Sequence, residues 1–465
     1  MSAAVAPAVA FRHDDAGTPE PDWLLDPRWS GVAAVDVDVL PALFDDVVVA
    51  SAHPDDETLA VGGLVALAHR AGLAVRVLVV TDGAASHPDA STWTPAALSA
   101  VRRAEVEAAV EELAPGAPVD RLDVPDGAVA ENERAVVDAL AARCGPRSLL
   151  VAPTDVDGHP DHDALGRAAR EVGRRTGATV AHYPLWLWHW GGPDDLGWSA
   201  VHAVELDRAA LDAKAAAVSA HASQHGPLGP GPGDGPVVTG PVLRRASRLV
   251  EVLLARPGDL PVRPSRTADH VGAPFDAMYG SDDDPWAFDG SFYESRKRDL
   301  ALAALLRPRY ERVLEIGCAD GVLTERLVER ADSVVAVDVS ARALDLAAGR
   351  DLEGVEWRRG RAPDAVDGGP FDLVVLSEVG YFLTPLELLA TLRRCVDVLA
   401  DDGELLFVHW RHPTNGVPLD GPAVHAQAAP VLARLPHRVH HDEVDLLLDL
   451  WGGGVLSPAE REGRA

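Results

Sequence analysis

Runs of valine and leucine that alternate with longer amphipathic segments are the feature that most constrains the fold of this chain. From about residue 45, the apolar segments DVVVASA, AVRVLVVTDG and SLLVAPT are separated by segments with helical spacing. A second series follows residue 275, with ERVLEIG, SVVAVDVS, FDLVVLSEV and GELLFVHW as strands. Apolar strands that alternate with helices are typical of a parallel sheet covered on both faces. We therefore predict an α/β protein with two doubly wound, mostly parallel sheets in tandem.

The length of the chain and its Gly- and Pro-rich stretches indicate the domain boundaries. The 465 residues are too many for one ordinary hydrophobic core. We expect an irregular lead-in over residues 1–44, a first domain over 45–258, a linker over 259–274 and a second domain over 275–465. The stretch GPLGPGPGDGPVVTGP at 226–241 is expected to be a surface loop, followed by a short helix, VLRRASRLVEVLLA.

The charge balance and the cysteines exclude several classes of function. The chain has 72 acidic residues against 42 Lys and Arg, a formal charge of -30, which disfavours nucleic acid and anionic membranes as partners. Cys144, Cys318 and Cys395 form no disulfide pattern, which favours a reducing compartment. We find no signal-peptide pattern and no apolar run long enough to insert in a membrane. A cytoplasmic protein is expected, and nothing indicates its oligomeric state.

Two His-Pro-Asp triplets follow two of the predicted strands. Since the carboxyl ends of strands in a doubly wound sheet meet at its ligand-binding edge, both triplets should open onto the same edge. A catalytic zinc site consists of two imidazoles, one carboxylate and one open position. His53 and Asp56 could therefore bind one metal ion, with His162 from the second loop as the third ligand. Asp55 is then the candidate general base, and His159 could stabilise an oxyanion or protonate a leaving group.

An aspartate where a strand leads into a helix can also be a simple helix N-cap, which would explain Asp56 or Asp163 alone. It does not explain two separate triplets, each followed by another ligand-type residue. AHPDDE, followed about a hundred residues later by HPDH, resembles the PIG-L/LmbE zinc deacetylases over roughly residues 45–255. The resemblance implies removal of an acyl group from an N-acetylated amino sugar. It implies zinc ligands at His53, Asp56 and His162, a base at Asp55 and an electrophilic role for His159.

Two further residues of this region are candidates for substrate binding. Arg102 in RRAE and Asp126 in PDG lie where the resemblance places contacts to sugar hydroxyls or a phosphate. Arg102 could equally form an ion pair on a helix surface. The aromatic stretch YPLWLWHW at 183–190 predicts a strand with three tryptophans on one face, which would contact a sugar or belong to the core.

A glycine-rich turn marks the second candidate site. In RVLEIGCADGVLTERL, Gly317 and Gly321 let the backbone turn between a strand and a helix, and Asp338 ends the next strand, where an acid can bind ribose hydroxyls. A nicotinamide-binding fold is the alternative. The GxxxG spacing differs from GxGxxG, and Glu315 makes the E-x-G that resembles class I methyltransferases.

The preceding stretch, FDAMYGSDDDPWAFDGSFYESRKRDLALAAL, resembles the NodS-type N-methyltransferases, and the likeness runs from about 275 to 415. It implies S-adenosyl-L-methionine (SAM) as cofactor and methylation of the amine of a deacetylated chito-oligosaccharide. By resemblance Glu315, Gly317, Gly321 and Asp338 hold SAM, and Trp286, Tyr293 and Arg296 close over it. Glu378, Tyr381 and His409 are the candidates on the substrate side, with Glu378 and His409 as the candidate catalytic groups that accept the departing proton. His409 could also be a strand-end histidine satisfied by its neighbours.

Together, the two sites predict a bifunctional enzyme with Zn²⁺ and SAM as cofactors. The first chemistry releases an amine from an N-acetylated amino sugar or glycoconjugate, and the second methylates an amine. Two alternatives stay open at this point. The sites could act on unrelated substrates, as an amidase of a sugar-thiol conjugate and an O- or N-methyltransferase, or the chain could be a non-catalytic sensor of SAM or sugar.

Overall fold

The computed structural model describes residues 15–288, 290–454 and 456–464. The chain divides into two compact units, Met1–Arg263 and Pro264–Ala465, each with its own sheet. Among the described residues, no helix is both long enough and apolar enough to cross a membrane.

The sheet of the first unit has eight strands in the order β1-β7-β8-β6-β5-β2-β3-β4. The strands are β1 (Ala33–Ala34), β2 (Asp46–Ser51), β3 (Ala74–Thr81), β4 (Val119–Val124), β5 (Ser148–Pro153), β6 (Thr179–Tyr183), β7 (Val201–Glu205) and β8 (Val250–Leu254). β8 is antiparallel to both of its neighbours, and the other pairings are parallel. The chain leaves β2 towards β3 and β4 and returns to β5 on the other side of β2. The crevice between the carboxyl ends of β2 and β5 is therefore a topological switch point, where ligands bind in such sheets.

Helices cover both faces of this sheet. They are α1 (Glu20–Leu24), α2 (Leu40–Leu43), α3 (Asp56–Arg70), α4 (Pro95–Leu113), α5 (Glu133–Ala141), α6 (Pro160–Thr176), α7 (Leu187–Trp190), α8 (Arg208–Ala220), α9 (Ala222–His225) and α10 (Gly240–Ala246). Val47 and Val49 of β2 belong to the same core as Leu64 of α3, whereas Val48 belongs to the core that contains Leu165 of α6. Because both faces of β2 are buried, its sequence is apolar throughout instead of alternating.

The stretch before residue 45 differs from the irregular lead-in that the sequence predicts. It contains α1, β1 and α2, and β1 pairs with β7. Trp23 of α1 is fully buried, and its Nε1 donates a hydrogen bond to the carbonyl of Trp188 (3.0 Å). The described part of this stretch is therefore packed on the first unit, because its few aromatic side chains find partners far along the chain.

Two secondary-structure predictions for the first unit are wrong. The segment VLRRASRLVEVLLA is expected to be one helix, but α10 ends at Ala246 and VEVLL forms strand β8 between β6 and β7. Short apolar runs do not distinguish strand from helix, and here pairing with two strands decides. The tryptophan stretch is expected to be a strand, but β6 ends at Tyr183 and α7 forms a single helical turn.

The second unit contains a seven-stranded sheet in the order β11-β10-β9-β12-β13-β15-β14. Its strands are β9 (Tyr310–Ile316), β10 (Ala331–Asp338), β11 (Val355–Arg359), β12 (Phe371–Ser377), β13 (Leu399–Trp410), β14 (His437–Asp442) and β15 (Leu446–Gly452). β15 is antiparallel to both of its neighbours, β13 and β14, and the other pairings are parallel. The switch point lies between β9 and β12, since β10 and β11 extend the sheet on the other side of β9.

The helices of the second unit are α11 (Ala268–Ser281), α12 (Phe292–Ala304), α13 (Val322–Val328), α14 (Ala341–Ala348), α15 (Pro385–Val398), α16 (Gly421–Val431) and α17 (Pro458–Arg461). α11 begins at Ala268, so the last residues of the stretch expected to be a linker are helical. Thr267 caps this helix by accepting a hydrogen bond from the backbone N–H of His270 (3.2 Å). The predicted fold class, two mostly parallel sheets with interleaved helices, is confirmed.

Candidate metal centre and cofactor cavity

The strand β2 delivers the first histidine-aspartate cluster to the switch point of the first unit. β2 ends at Ser51, and α3 begins at Asp56, so His53 and Asp55 lie in the short turn between them. Asp55 has φ +121°, a strained backbone conformation for a residue with a side chain. His159 caps the N-terminus of α6 in the loop after β5. The structure therefore brings both His-Pro-Asp triplets to one crevice.

Three donor atoms of this cluster form a nearly regular triangle. Asp56 Oδ2 lies 3.5 Å from His53 Nδ1 and 3.2 Å from His162 Nε2. The two imidazole nitrogens are 3.4 Å apart. Bonds of about 2.1 Å to a tetrahedral zinc ion require its ligand atoms to be about 3.4 Å apart. The donor set predicted from the sequence, His53, Asp56 and His162, therefore has the spacing that zinc needs.

His159 is the other candidate for a third ligand, because donor atoms of His53, His159 and His162 lie within 4.8 Å of one another. Asp56 fits better, since its Oδ2 is close to both imidazole nitrogens and also accepts a hydrogen bond from the backbone N–H of His53 (2.8 Å). That bond holds the carboxylate oxygen at the centre of the cluster.

Buried carboxylates orient the two histidines. Asp157 Oδ2 is 2.8 Å from Nδ1 of His162, so this nitrogen carries the proton and Nε2 is left to bind a metal. The backbone N–H groups of Leu185 and Leu187 donate to the other oxygen of Asp157 (2.8 and 3.0 Å). Such outer partners fix the ring and raise its basicity. Asp157 is not among the residues predicted from the sequence, although its position in the DVDGHPDH loop, beside the second His-Pro-Asp triplet, was a usable signal.

His53 is oriented in the same way through its Nε2. This nitrogen lies 3.2 Å from Asp126 Oδ1 and 3.3 Å from Asp161 Oδ2. Asp161 is held in turn by the backbone N–H groups of Gly127 and Val129 (2.8 and 3.1 Å). The structure thus places Asp126, predicted to contact substrate, against the ring of a candidate metal ligand.

Asp55 faces a buried arginine. Its Oδ1 accepts a hydrogen bond from the guanidinium of Arg102 (3.1 Å), which also donates to the carbonyls of Pro54 and Gly83 (2.5 and 3.0 Å). Burial raises the pKa of Asp55 to about 7, outweighing the opposing effect of Arg102. A carboxyl group with such a pKa can both accept and return a proton near neutral pH. Arg102, predicted to bind substrate or to lie on a helix surface, is instead buried behind Asp55.

His159 presents an N–H group to the same crevice. Its Nδ1 accepts a hydrogen bond from the backbone N–H of Asp161 (3.3 Å), so the neutral ring carries its proton on Nε2. Burial, together with the neighbouring rings of His162 and His53, lowers the pKa of His159 to about 3. The ring is therefore a neutral hydrogen-bond donor. Its centroid lies 4.8 Å from that of His53.

The second unit contains a cavity of about 240 Å³ at its own switch point. Gly317 follows β9 with φ +78°, and a Cβ atom there would lie 2.0 Å from Cγ2 of Val379. Gly321 precedes α13 with φ +84°, and a Cβ atom would lie 2.8 Å from the ring of Trp357. Both positions require glycine, as the sequence indicates. Gly317, together with Val379 from the other side of the switch point, lines the cavity.

Two acids, the half-buried Asp338 and the buried Glu315, support this turn. Asp338 ends β10 and lines the cavity, and its two oxygens accept hydrogen bonds from the backbone N–H groups of Ala319 and Ser340 (2.9 and 2.8 Å). Glu315 also lines it and bonds to the hydroxyl of Thr324 (2.6 Å). Burial raises the pKa of Glu315 to about 8. These carboxyl groups fix the loop and remain at the cavity wall.

The three residues expected to close over the cofactor do not share one place. Trp286 lines the cavity, and its ring lies 6.4 Å from that of Phe382. Tyr293 and Arg296 are not part of the lining. The guanidinium of Arg296 forms a two-fold ion pair with Glu443 (2.5 and 2.7 Å), and the ring of Tyr293 packs on Trp410 at 5.1 Å. The structure therefore supports a place at the cofactor for Trp286 alone of the three.

Two glutamates of the cavity lining, Glu294 and Glu378, form an acidic wall near the end of β12. Glu378, with φ +59°, accepts hydrogen bonds from the hydroxyl of Tyr381 (2.5 Å) and the backbone N–H of Trp410 (2.8 Å). Nζ of Lys297 is 2.8 Å from Oε1 of Glu294 and 3.7 Å from Oε1 of Glu378. Burial raises the pKa of Glu378. The sequence predicted Glu378 and Tyr381, but it gave no signal for Lys297 and Glu294.

His409 lies outside the cavity lining. Its Nε2 accepts a hydrogen bond from the backbone N–H of Gly380 (3.1 Å), and its Nδ1 is 3.0 Å from Nε2 of His425. The ring is fully buried and has partners at both nitrogens. The structure therefore favours the alternative reading of His409, a strand-end histidine satisfied by its neighbours, over a place facing the substrate.

Comparison with known proteins matches each unit to a family. Residues 48–172 match the family described as GlcNAc-PI de-N-acetylase (PIG-L), and residues 279–416 match that of nodulation protein S (NodS). The NodS of Rhizobium tropici is 30% identical over 145 residues, which are 29% of this chain and 61% of the relative. That of Bradyrhizobium diazoefficiens is 32% identical over 130 residues, 27% of this chain and 62% of the relative. The chain therefore spans about three fifths of the length of these curated relatives.

Two solved structures are each similar to part of the chain. The N-methyltransferase NodS of Bradyrhizobium japonicum in complex with S-adenosyl-L-homocysteine is 25% identical and covers 39% of this chain and 98% of its own, with a TM-score of 0.36. The N,N'-diacetylchitobiose deacetylase of Pyrococcus horikoshii is 19% identical and covers 45% of this chain and 80% of its own, with a TM-score of 0.33. The family matches confirm the resemblances read from the sequence. The chain carries a PIG-L deacetylase domain at residues 48–172 and a NodS methyltransferase domain at residues 279–416.

Proposed function

We propose that this chain is a bifunctional enzyme that deacetylates an N-acetylated amino sugar or glycoconjugate and then methylates the freed amine. One observation carries the proposal: a PIG-L domain with a zinc-spaced donor triangle shares the chain with a NodS domain that has an open cavity at its glycine turn. The first chemistry produces an amine, and the second consumes one. The three free, buried cysteines are in keeping with a proposed cytoplasmic location.

In the first domain, we assign His53, Asp56 and His162 to hold zinc. A zinc ion held there would supply the Lewis acidity that assists attack of water on an amide. Asp55 accepts a proton from the attacking water and returns it to the departing amine, in keeping with a pKa of about 7. His159 donates a hydrogen bond from Nε2 to the carbonyl oxygen as negative charge develops there. Arg102 keeps the carboxylate of Asp55 in place (3.1 Å).

In the second domain, we assign the glycine turn and Asp338 to SAM and the acidic wall to the amine. The backbone at Gly317 and Gly321 leaves room for the cofactor, and Asp338 would accept hydrogen bonds from its ribose hydroxyls. SAM held there would supply the methyl group, and the acceptor nitrogen gives up one proton when it is methylated. Glu378, beside the hydroxyl of Tyr381, is placed to take that proton. Positioning of the two reactants provides most of the rate.

Mass spectrometry of the products tests this function. The purified, zinc-loaded protein is incubated with SAM and a panel of N-acetylglucosamine glycosides and nucleotide sugars. We expect at least one substrate to lose its acetyl group and gain a methyl group in the same incubation. The sequential function would be overturned if substrates across the panel lost their acetyl groups without methylation and if the free amines, supplied directly, were not methylated either.

A further inference from the structure

The second unit contains another histidine-aspartate cluster, outside the lining of the cofactor cavity. His437 and His440 lie on β14, and Asp449 lies on the neighbouring strand β15, directly opposite His440 in the antiparallel pairing. Nε2 of His437 is 2.6 Å from Asp449 Oδ1, and Nδ1 of His440 is 2.8 Å from the same oxygen. Two imidazoles thus converge on one carboxylate oxygen.

A chain of buried histidines fixes the orientation of this carboxylate. Because the backbone N–H of Gly380 donates to Nε2 of His409, the proton of a neutral His409 is on Nδ1 and donates to Nε2 of His425 (3.0 Å). The proton of His425 is then on Nδ1, 2.5 Å from Asp449 Oδ2. One oxygen of Asp449 is therefore tied to the interior, and the other, Oδ1, faces His437 and His440. Outer hydrogen bonds of this kind are typical of metal-binding carboxylates.

The two histidines of the cluster are exposed to solvent, and the carboxylate lies beneath them. The side chains of His437 and His440 are 37% and 56% exposed, whereas that of Asp449 is 8% exposed. One atom from each of the three residues lies within 4.8 Å of the others. Two imidazoles and one carboxylate suit zinc, nickel and copper ions better than magnesium or calcium.

We propose that His437, His440 and Asp449 form a second site for a divalent transition metal, such as Zn²⁺ or Ni²⁺, on the methyltransferase domain. The distances of 2.6 and 2.8 Å are hydrogen-bond lengths, shorter than the spacing in the first unit. An ion therefore replaces two N–H···O bonds as the exposed rings move apart. Each neutral imidazole keeps one proton, which moves through solvent to its other nitrogen, and a protonated imidazole releases its extra proton on binding.

Metal stoichiometry of the full chain tests the proposal. Protein prepared without a histidine tag and stripped of metal is loaded with Zn²⁺ or, separately, Ni²⁺, desalted and analysed for bound metal. We expect two equivalents of Zn²⁺ for the unaltered chain and one for His440→Ala. His437→Phe, which keeps a ring against Trp451, should also bind one.

A matched control separates this site from general metal binding by surface histidines. His441 lies on the same strand and contacts Glu443 (3.1 Å), so His441→Ala should leave both equivalents in place. Asp56→Ala should lose the other equivalent and keep the one at β14. One equivalent in the unaltered chain that Asp56→Ala removes, or an equal loss in His440→Ala and His441→Ala, would overturn the proposal. Neither result depends on whether the chain deacetylates or methylates anything.

Discussion

The candidate sites of the two domains consist of different kinds of groups, polar side chains in one and backbone turns in the other. In the deacetylase domain the site consists of charged side chains that crowd together, with His53, Asp56 and His162 spaced at 3.2 to 3.5 Å. In the methyltransferase domain it is a cavity of about 240 Å³ whose shape depends on backbone turns at Gly317 and Gly321. Amide hydrolysis requires groups that move protons and stabilise charge, whereas methyl transfer requires mainly the alignment of two reactants. The difference predicts that single polar substitutions harm the first activity more than the second.

The largest effect is expected at Asp55. Asp55→Asn keeps the size of the side chain and removes the proton acceptor, so kcat for deacetylation should fall roughly 10²- to 10⁴-fold while zinc content is unchanged. Asp123→Asn is the control, because Asp123 also has a positive φ (+53°) but pairs on the surface with Arg103. If Asp55→Asn deacetylated its substrate at the unaltered rate, Asp55 would not be the general base.

The next effect is expected at the carboxylate behind His162. Asp157→Asn weakens the bond that fixes this imidazole, so zinc affinity, measured by competition with a chelator, should fall roughly 10- to 100-fold. Asp155→Asn in the same loop is the control, since Asp155 pairs with Arg170 at the surface (2.6 Å). An equal zinc affinity in Asp157→Asn and Asp155→Asn would mean that the geometry around Asp157 does not support the metal.

In the methyltransferase domain, the shape of the cavity should affect cofactor affinity more than the charges around it. Gly317→Ala strains a backbone with φ +78° and pushes a methyl group into Val379, so affinity for S-adenosyl-L-homocysteine by calorimetry should fall roughly 10- to 100-fold. Gly416→Ala carries similar strain, with φ +79°, but its Cβ would meet nothing within 4 Å. If both variants bind the ligand as the unaltered chain does, the cavity at Gly317 is not the cofactor site.

The smallest effect is expected at Asp338. Asp338→Asn removes one charge that would bind ribose hydroxyls, and affinity for S-adenosyl-L-homocysteine should fall only roughly tenfold. Asp332→Asn, at the other end of β10 and paired with Arg309 (2.5 Å), should bind normally. Asp338→Asn could instead lose more affinity for S-adenosyl-L-homocysteine than Gly317→Ala, with an unchanged melting temperature. That result would show that charge matters more than shape at this site.

The sequence predicted the residues whose roles follow from their position at a strand end. His53, Asp56, Gly317 and Asp338 belong to this group, because alternating apolar runs show where each strand stops. The structure brings His162 to within 3.4 Å of His53 although 108 residues lie between them. That pairing was predictable because both triplets follow strands of the same sheet.

Residues whose roles depend on tertiary partners were beyond reach of the sequence. Lys297 is a charged residue in an ordinary polar segment, and only the fold places it near Glu378 (3.7 Å). In the same way, Arg296 could not be distinguished from a cofactor contact until its pairing with Glu443 was visible. Such contacts join residues that no local pattern connects.

We propose that one chain deacetylates and then methylates a single substrate, and paired variants test this sequence of reactions most directly. The unaltered chain, Asp55→Asn and Gly317→Ala are each given the same N-acetylated substrate with zinc and SAM, and products are identified by mass spectrometry. At a SAM concentration near the dissociation constant of the unaltered chain, we predict an N-methylated amine from the unaltered chain, mainly free amine from Gly317→Ala, and little product from Asp55→Asn until free amine is added. Methylation of the intact acetylated substrate by Asp55→Asn would contradict the account.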